Sequence, residues 1–362
     1  MFNNTYEGKR VLITGNTGFK GSWLTVWLLQ LGAKVIGYSK DVPTNPSMFK
    51  KLNLENKINH VVADVRNFES LSSAFTDYKP DFVFHLAAQS LVKNSYLFPS
   101  ETMTTNIIGT NNILDCLRLV NHPCTGIIIT SDKCYDNLEL TRGYNELDAL
   151  GGKDPYSASK GAAELVFKGF YHSFFKNQAL IRVATARAGN VIGGGDWAED
   201  RIIPDCIRAW EKGDKVSIRN PNSTRPWQHV LEPLSGYLRL GQQLSENKNL
   251  NGKSFNFGPK AGNNQTVLEL IHQISNRYFE NEKIQYEIIK QPSFHEAGLL
   301  QLDCAKANED LSWEANLDFN QTANYTSDWY NNYKTRNMIE FTIKQLNNYC
   351  KAATETQLSW ME

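Results

Sequence analysis

The 362-residue chain has no excess of charge: 38 Lys and Arg stand against 38 Asp and Glu. No net field draws it to nucleic acid or to an anionic membrane, so an anionic ligand has to be met by a local basic cluster. It has no apolar run near the roughly 18 residues of a membrane span. The N-terminal MFNNTYEGKR lacks the apolar core of a secretory signal. Its cysteines (Cys116, Cys124, Cys134, Cys206, Cys304 and Cys350) are scattered without a CxxC pair, which reads as reduced thiols in the cytoplasm. His229 and His295 have no metal-like companions, and no other His or carboxylate cluster marks a metal site. No repeat or low-complexity linker divides the chain. What remains, 41% hydrophobic, 11% aromatic and 21% charged, is the composition of a globular protein long enough for two domains or one large one.

The chain is organised around the stretch Gly126 to Lys160. Ile127, Ile128 and Ile129 read as a short buried strand that delivers Ser131, Asp132 and Lys133 at its end. The stretch closes with Tyr156 and Lys160. If Pro155 starts a helix, their spacing of four puts both side chains on one face. A hydroxyl, a carboxyl, a phenol and two ammonium groups then converge, enough for more than one proton transfer.

Upstream, RVLIT (Arg10 to Thr14) reads as a strand, GNTGFKG as a glycine turn and SWLTVWLLQLG as a helix. Gly15, Gly18 and Gly21 stand where a pyrophosphate approaches backbone amides at a helix N-terminus, although the spacing is GxxGxxG and not GxGxxG. The second strand, KVIGY, ends in Ser39, Lys40 and Asp41. Asp41 suits the free ribose hydroxyl of NAD, while Ser39 and Lys40 leave NADP open. The third strand, HVVAD, ends in Asp64 and Val65 as an edge for the adenine ring, although Asp64 serves equally as a helix cap. The fourth, DFVFHLAAQS, offers Leu86 and the small Ala87 and Ala88 for close passage of a cofactor, and its His85 reads as a satisfied core histidine. Asn106, in the middle of the helix TTNIIGTNNILDCLRL, needs a compensating reason. Strands alternating with helices predict an α/β fold, a Rossmann-type doubly wound parallel sheet.

The motifs TGNTGFKG (Thr14 to Gly21), HLAAQ (His85 to Gln89), NIIGT (Asn106 to Thr110) and YSASK (Tyr156 to Lys160) follow one another in the order of the extended short-chain dehydrogenase/reductase family, which the chain resembles. The resemblance implies that Tyr156 is the acid or base at a sugar hydroxyl, that Lys160 holds the nicotinamide ribose and lowers the phenol's pKa, and that Ser131 shares the proton. It also implies an NAD site made by Gly15, Thr17, Gly18, Phe19, Gly21, Asp64, Val65, Leu86, Ala87, Ala88 and Asn106 with Tyr156 and Lys160. Asn16 stands where His is expected.

The pair Asp132-Lys133 after Ser131 is similar to the acid and second ionisable group of the family's sugar-nucleotide 4,6-dehydratases, and a Lys in second place resembles the subgroup acting on CDP-glucose. The likeness continues through GGKDPYSASKGAAEL, ARAGNVIGGGDWAEDRIIPD, RPWQHVLEPLSGYL and FHEAGLLQLD. It implies oxidation at C4 of the hexose, loss of water across C5 and C6, and return of hydride to C6. Asp132 would be the acid at the C6 hydroxyl. Lys133 would be the C5 base if neutral, or the stabiliser of the enolate if charged.

A nucleotide-sugar diphosphate needs fixed cations, and Arg201, Arg208, Arg219 and Arg225 crowd one stretch, with Arg219 and Arg225 flanking the turn NPNST as the favoured pair. With Gln89 and Asn190 they make the expected substrate set. The glycine-rich Gly193-Gly194-Gly195-Asp196-Trp197 reads either as a closing loop or as a tight turn. The expected organisation is an NAD-binding domain over 1–186, to which about 226–258 returns, and a smaller interleaved α/β substrate-binding domain over 187–362. The resemblance further implies a homodimer or homotetramer through a four-helix bundle, and a product used for deoxysugars of surface polysaccharide such as O-antigen. An epimerase, a simple NAD(P) reductase and a non-catalytic dinucleotide sensor are the competing readings. Asp132 and Lys133 beside an intact Tyr156 and Lys160 weigh against them.

Overall fold

The computed structural model describes residues 1–260, 264–279, 286–289 and 299–362. His295 and the start of FHEAGLLQLD lie outside the described residues. Strands β1 (Arg10–Thr14), β2 (Lys34–Ser39), β3 (Asn59–Val62), β4 (Phe82–His85), β5 (Cys124–Ile129) and β6 (Ile181–Arg187), with the edge strand Ser254–Asn256, form one seven-stranded sheet. Every pairing is parallel, in the order edge strand, β6, β5, β4, β1, β2, β3. The chain reverses its winding between β1 and β4, and the carboxyl ends of those strands open on the crevice where doubly wound sheets bind ligands.

These strands are continuous apolar runs because both faces of the sheet are covered. Val11, Ile13, Phe82, Phe84, Ile127 and Ile129 face one core with Trp23, Trp27, Leu234 and Leu238. Leu12, Val83 and Ile128 face the other with Leu114, Leu117 and Phe167. The alternation is the two-residue period of a strand, and a slip of one residue would exchange the two sets.

Helix Phe19–Gln30 follows the glycine turn, and helix Pro155–Phe170 begins at the expected proline, capped by Asp154. Asn106 sits in a π-helical turn, Thr104–Ile108, that precedes the α-helix Gly109–Leu119. Helix Ile202–Lys212 ends at Gly213, whose φ of +72° suits glycine. Three two-stranded pairings flank the substrate side: Val191–Ile192 with Gln228–His229, Val216–Ile218 with Tyr286–Ile288, and Thr224–Pro226 with Asn264–Thr266. The C-terminal segment packs on the body: Trp329 and Tyr330, on helix Phe319–Asn332, are buried.

The Gly193 to Trp197 stretch is a packed turn. A side chain at Gly194 would run into the Trp329 ring, one at Gly195 into Met48, and the Gly194 carbonyl accepts Trp23 Nε1–H at 2.9 Å.

Candidate active site

At the end of β5 the Thr130 amide donates to the Ala186 carbonyl on β6, after which the chain leaves the sheet. Ser131, in extended conformation, caps a single 3-10 turn, Asp132–Cys134. Its Oγ accepts the Lys133 amide at 3.2 Å and donates to Asp132 Oδ1 at 2.8 Å, while Asp132 Oδ1 also accepts that amide at 2.9 Å. Asn190, held at a φ of +53°, brings its Nδ2 to 3.5 Å from Asp132 Oδ2. Opposite them, Asp154 accepts the Ser157 amide and hydroxyl and so starts the helix that carries Tyr156 and Lys160 one turn apart.

Burial decides the electrostatics. It pushes the Tyr156 phenol up to about 12, with its hydrogen bond to Ser131 opposing. It brings the Lys160 ammonium down to about 8, against the pull of Cys134 and Glu164. Desolvation is the largest influence on the phenol, and the Arg201 charge and Ser131 oppose it. Lys20, which the sequence reading passed over between Gly18 and Gly21, is half-buried in the same place. Burial brings it down to about 7, and the Arg201 charge pushes in the same direction.

Two cavities meet here. The larger, about 760 Å³, runs from Gly15, Thr17, Gly18, Phe19 and Gly21 past Asp64, Val65, Leu86, Ala87 and Ala88 to Tyr156 and Lys160. The smaller, about 380 Å³, is lined by Asp132, Lys133, Asn190, Arg219, Arg225 and Trp227. Lys20, Ser131, Tyr156 and Arg201 belong to both walls. The larger one fits a dinucleotide's pyrophosphate. A Cβ on Gly21 would lie 2.1 Å from the Gly15 carbonyl oxygen, Gly15 holds a φ of +75° against Ala87, and no side chain caps the following helix start.

Several expected residues sit differently. Asn106 does not line either cavity. Its amide accepts the Gln89 N–H at 2.8 Å and donates to the Gln89 carbonyl at 3.0 Å and to Ser159 Oγ at 2.8 Å, which is the compensation its mid-helix position required. Gln89, expected at the substrate, lies on the dinucleotide-side wall with its side chain bound to Leu91 and Thr102. Arg208 also lies on that wall, donating to the carbonyls of Trp197 and Ala198 and paired with Asp205, because its helix turns it toward that loop. Arg201 is paired with Asp196 at 2.8 Å. Arg219 and Arg225 remain on the substrate-side wall. Asp64 is on the expected edge with its carboxylate held by Arg66. Asn16 is buried over Gly37 and accepts the Ser39 hydroxyl at 2.7 Å, so it packs the turn from behind.

His85 is a core histidine between Thr14 and Thr110. His229 is buried among Trp23 and Tyr325. Among the described residues no group of three His, Cys, Asp or Glu could hold a metal ion, and no helix is long and apolar enough to cross a membrane.

The comparisons with known proteins agree with this arrangement. The CDP-glucose 4,6-dehydratase of Salmonella typhimurium is 43% identical over 97% of this chain and 99% of its own. The dTDP-glucose 4,6-dehydratase of Haemophilus influenzae is 26% identical over 88% of this chain and 97% of its own. Among solved structures, an epimerase from Methanothermobacter thermautotrophicus superposes with a TM-score of 0.79 at 24% identity, covering 94% of this chain and 96% of that one. The dTDP-glucose 4,6-dehydratase of Bacillus anthracis in complex with NAD does so with 0.74 at 22%, covering 89% and 96%. These superpositions show the fold. A family model described as GDP-mannose 4,6 dehydratase matches residues 12–326, and the chain belongs to that family.

Proposed function

We propose that the protein converts CDP-D-glucose into CDP-4-dehydro-6-deoxy-D-glucose and water, with NAD in the larger cavity and the nucleotide sugar in the smaller. The observation that carries this reading is the junction. Ser131 and Tyr156 stand where the two cavities meet, and Asp132 lies directly behind Ser131 on the substrate side. The 43% identity to the Salmonella typhimurium CDP-glucose 4,6-dehydratase supports the choice of sugar nucleotide.

Gly15, Thr17, Gly18, Phe19 and Gly21 would hold the pyrophosphate of NAD, with Asp64 and Val65 at the adenosine end and Lys160 at the other. Lys40 is engaged by Glu101 at 3.1 Å and lies 3.8 Å from Asp41. It is not a free cation for a 2′-phosphate, which supports NAD over NADP. NAD supplies the hydride acceptor for C4 and the hydride donor for C6, so no net oxidation results.

The chain's own groups move the protons. Tyr156 takes the C4 hydroxyl proton, Ser131 relays it, and Lys160 holds charge beside the phenolate. Oxidation must come first, because the C5 proton becomes acidic only beside a C4 carbonyl. Asp132 gives a proton to the departing C6 hydroxyl. Lys133 stands on the substrate side and supplies positive charge as the enolate oxygen forms. Arg219 and Arg225 are placed for the diphosphate.

Leu97, Phe98, Ile108 and Leu165 are exposed on the helical segments around Asn106 and after Tyr156. Their exposure supports a homodimer or homotetramer through a four-helix bundle. The family resemblance is what supports a cytoplasmic enzyme of deoxysugar synthesis for surface polysaccharide such as O-antigen or lipopolysaccharide. Incubation with CDP-glucose, UDP-glucose, GDP-mannose and dTDP-glucose in turn, read by mass spectrometry, tests the reading. Loss of one water from CDP-glucose alone is expected. An epimer of unchanged mass would make the protein an isomerase instead.

A further inference from the structure

The wall of the larger cavity at the ends of β2 and β3 carries Ser39, Lys40, Asp41, Asp64 and, from the segment that follows β4, Glu101. The end of the second strand of a doubly wound sheet is where the adenosine ribose lies. Its 2′ substituent separates NAD, which has a hydroxyl there, from NADP, which has a phosphate. A 2′-phosphate needs positive charge and hydrogen-bond donors that can turn to it.

The side-chain donors of the two strand ends are already engaged. Ser39 Oγ donates to Asn16 Oδ1 at 2.7 Å and accepts the Thr17 amide at 3.4 Å. Arg66 donates from Nε and Nη2 to the Asp64 carboxylate at 3.0 and 2.6 Å. Lys40 is the long cation of the edge, and two carboxylates flank it. Asp41, its chain neighbour, is 3.8 Å away, too far for a hydrogen bond. The bond that holds the ammonium is the one to Glu101 Oε1 at 3.1 Å.

Glu101 comes from a different part of the fold, the short helix Pro99–Met103, 61 residues along the chain from Lys40. Its charge also acts on Arg66. That guanidinium is held above its ordinary value first by its hydrogen bonds to Asp64, with the charges of Asp64 and Glu101 adding to them. One carboxylate therefore acts on both cations of the ribose edge.

We propose that Glu101 sets the choice of dinucleotide: by holding Lys40 and by placing its own negative charge at the ribose edge, it excludes the 2′-phosphate of NADP while leaving room for the 2′-hydroxyl of NAD. The inference rests on the reading of the larger cavity as a dinucleotide site, and it names the residue that decides between two dinucleotides. Asp41 alone does not suffice, because it does not bind the ammonium and leaves Lys40 able to swing onto a phosphate. Water screens the Lys40–Glu101 pair, whose side chains are 44% and 42% exposed, so the pair itself adds little to the stability of the fold. A phosphate monoester brings nearly two negative charges to the same place. Removing Glu101 takes away a repulsion and releases a cation in one step, whereas the uncharged 2′-hydroxyl of NAD feels little of either.

Titration of the full-length protein with NADH and with NADPH, each followed by nicotinamide fluorescence, tests this without any turnover. The wild type is expected to bind NADH more tightly than NADPH. Glu101→Gln should tighten NADPH by about 10-fold and move NADH by less than about 3-fold. Adding Lys40→Gln to that variant should abolish the gain, since Lys40 is the cation that Glu101 had withheld. Unchanged NADPH affinity in Glu101→Gln, an equal gain for both dinucleotides, or a gain that survives Lys40→Gln would each overturn the proposal. So would a wild type that binds the two alike, or loss of both dinucleotides in Glu101→Gln, which would make Glu101 a folding residue. A wild-type protein that binds neither dinucleotide is a separate outcome, and it removes the dinucleotide reading of the cavity itself.

Discussion

Glu164 and Arg187 face each other with no exposure at all, Arg187 Nη2 donating to Glu164 Oε2 at 2.8 Å and Nε to Oε1 at 2.9 Å. The same carboxylate accepts the hydroxyls of Thr130 and Thr185, and Arg187 Nη1 donates to Tyr135 Oη. The pair therefore ties the helix of Tyr156 and Lys160 to the ends of β5 and β6, and so sets the phenol against Ser131.

Removing one partner leaves a buried charge uncompensated. Glu164→Gln should cost about 3–5 kcal/mol in urea unfolding. Burial raises the Glu164 carboxyl, but the Arg187 charge and the hydrogen bonds outweigh it and hold it below its ordinary 4.5. A depressed folded value gives stability that is present above 4.5 and is lost as pH falls through the folded value. The gap between wild type and variant should be flat near neutrality and should shrink in acid. A gap indifferent to acid would contradict the ion pair's role.

Gly21→Ala places a Cβ 2.1 Å from the Gly15 carbonyl oxygen and 2.7 Å from Asn16 Cα. The turn has to open, and the purified variant should carry little or no nicotinamide. Gly169→Ala is the control, since nothing lies within 4 Å of its added Cβ. It should keep the cofactor content of the parent.

Tyr156→Phe should slow C4 oxidation by about 10²- to 10⁴-fold while leaving CDP-glucose binding largely intact. The phenol, raised to about 12, is protonated at neutral pH, so its base form grows as pH rises. Single-turnover oxidation in the parent should accelerate as pH rises from neutral until Lys160, at about 8, loses the charge that holds the phenolate, and that rise should be missing in the variant. Unchanged turnover in Tyr156→Phe would remove it from the mechanism.

Asp132→Asn keeps the shape of the Ser131 contact but has no proton for the leaving hydroxyl. Reduced nicotinamide should accumulate in a single turnover and water loss should slow. If no reduced nicotinamide appears, the impaired step is oxidation, and Asp132 belongs with Ser131 and Tyr156.

The sheet was legible because it obeys local rules. Apolar runs such as VLI and FVF alternate with amphipathic helices, and glycines stand where backbone crowding excludes a Cβ. The placing of Tyr156 and Lys160 together was legible from spacing, since Pro155 starts a helix and i to i+4 aligns the two. Partners brought together by the tertiary fold were not. Glu164 and Arg187 are 23 residues apart on different elements, and the local signal was a Glu on the same helix face as Lys160.

Lys20 had a signal too, a long cation inside a turn of small residues, but counting glycines passed over it. The arginines were recognisable by type and not by destination. Arg208 grips the Trp197 and Ala198 carbonyls because its helix turns it toward that loop. The burial that raises Tyr156 is likewise a property of packing.

The central claim is that hydride taken from C4 returns to C6 of the same sugar. CDP-glucose carrying deuterium at C4, turned over by the purified protein, tests it directly. The account predicts a 4-dehydro-6-deoxy product that retains the deuterium in its C6 methyl group, with no net reduced nicotinamide. Deuterium back at C4 of an epimer, or held in accumulated reduced nicotinamide, would contradict it.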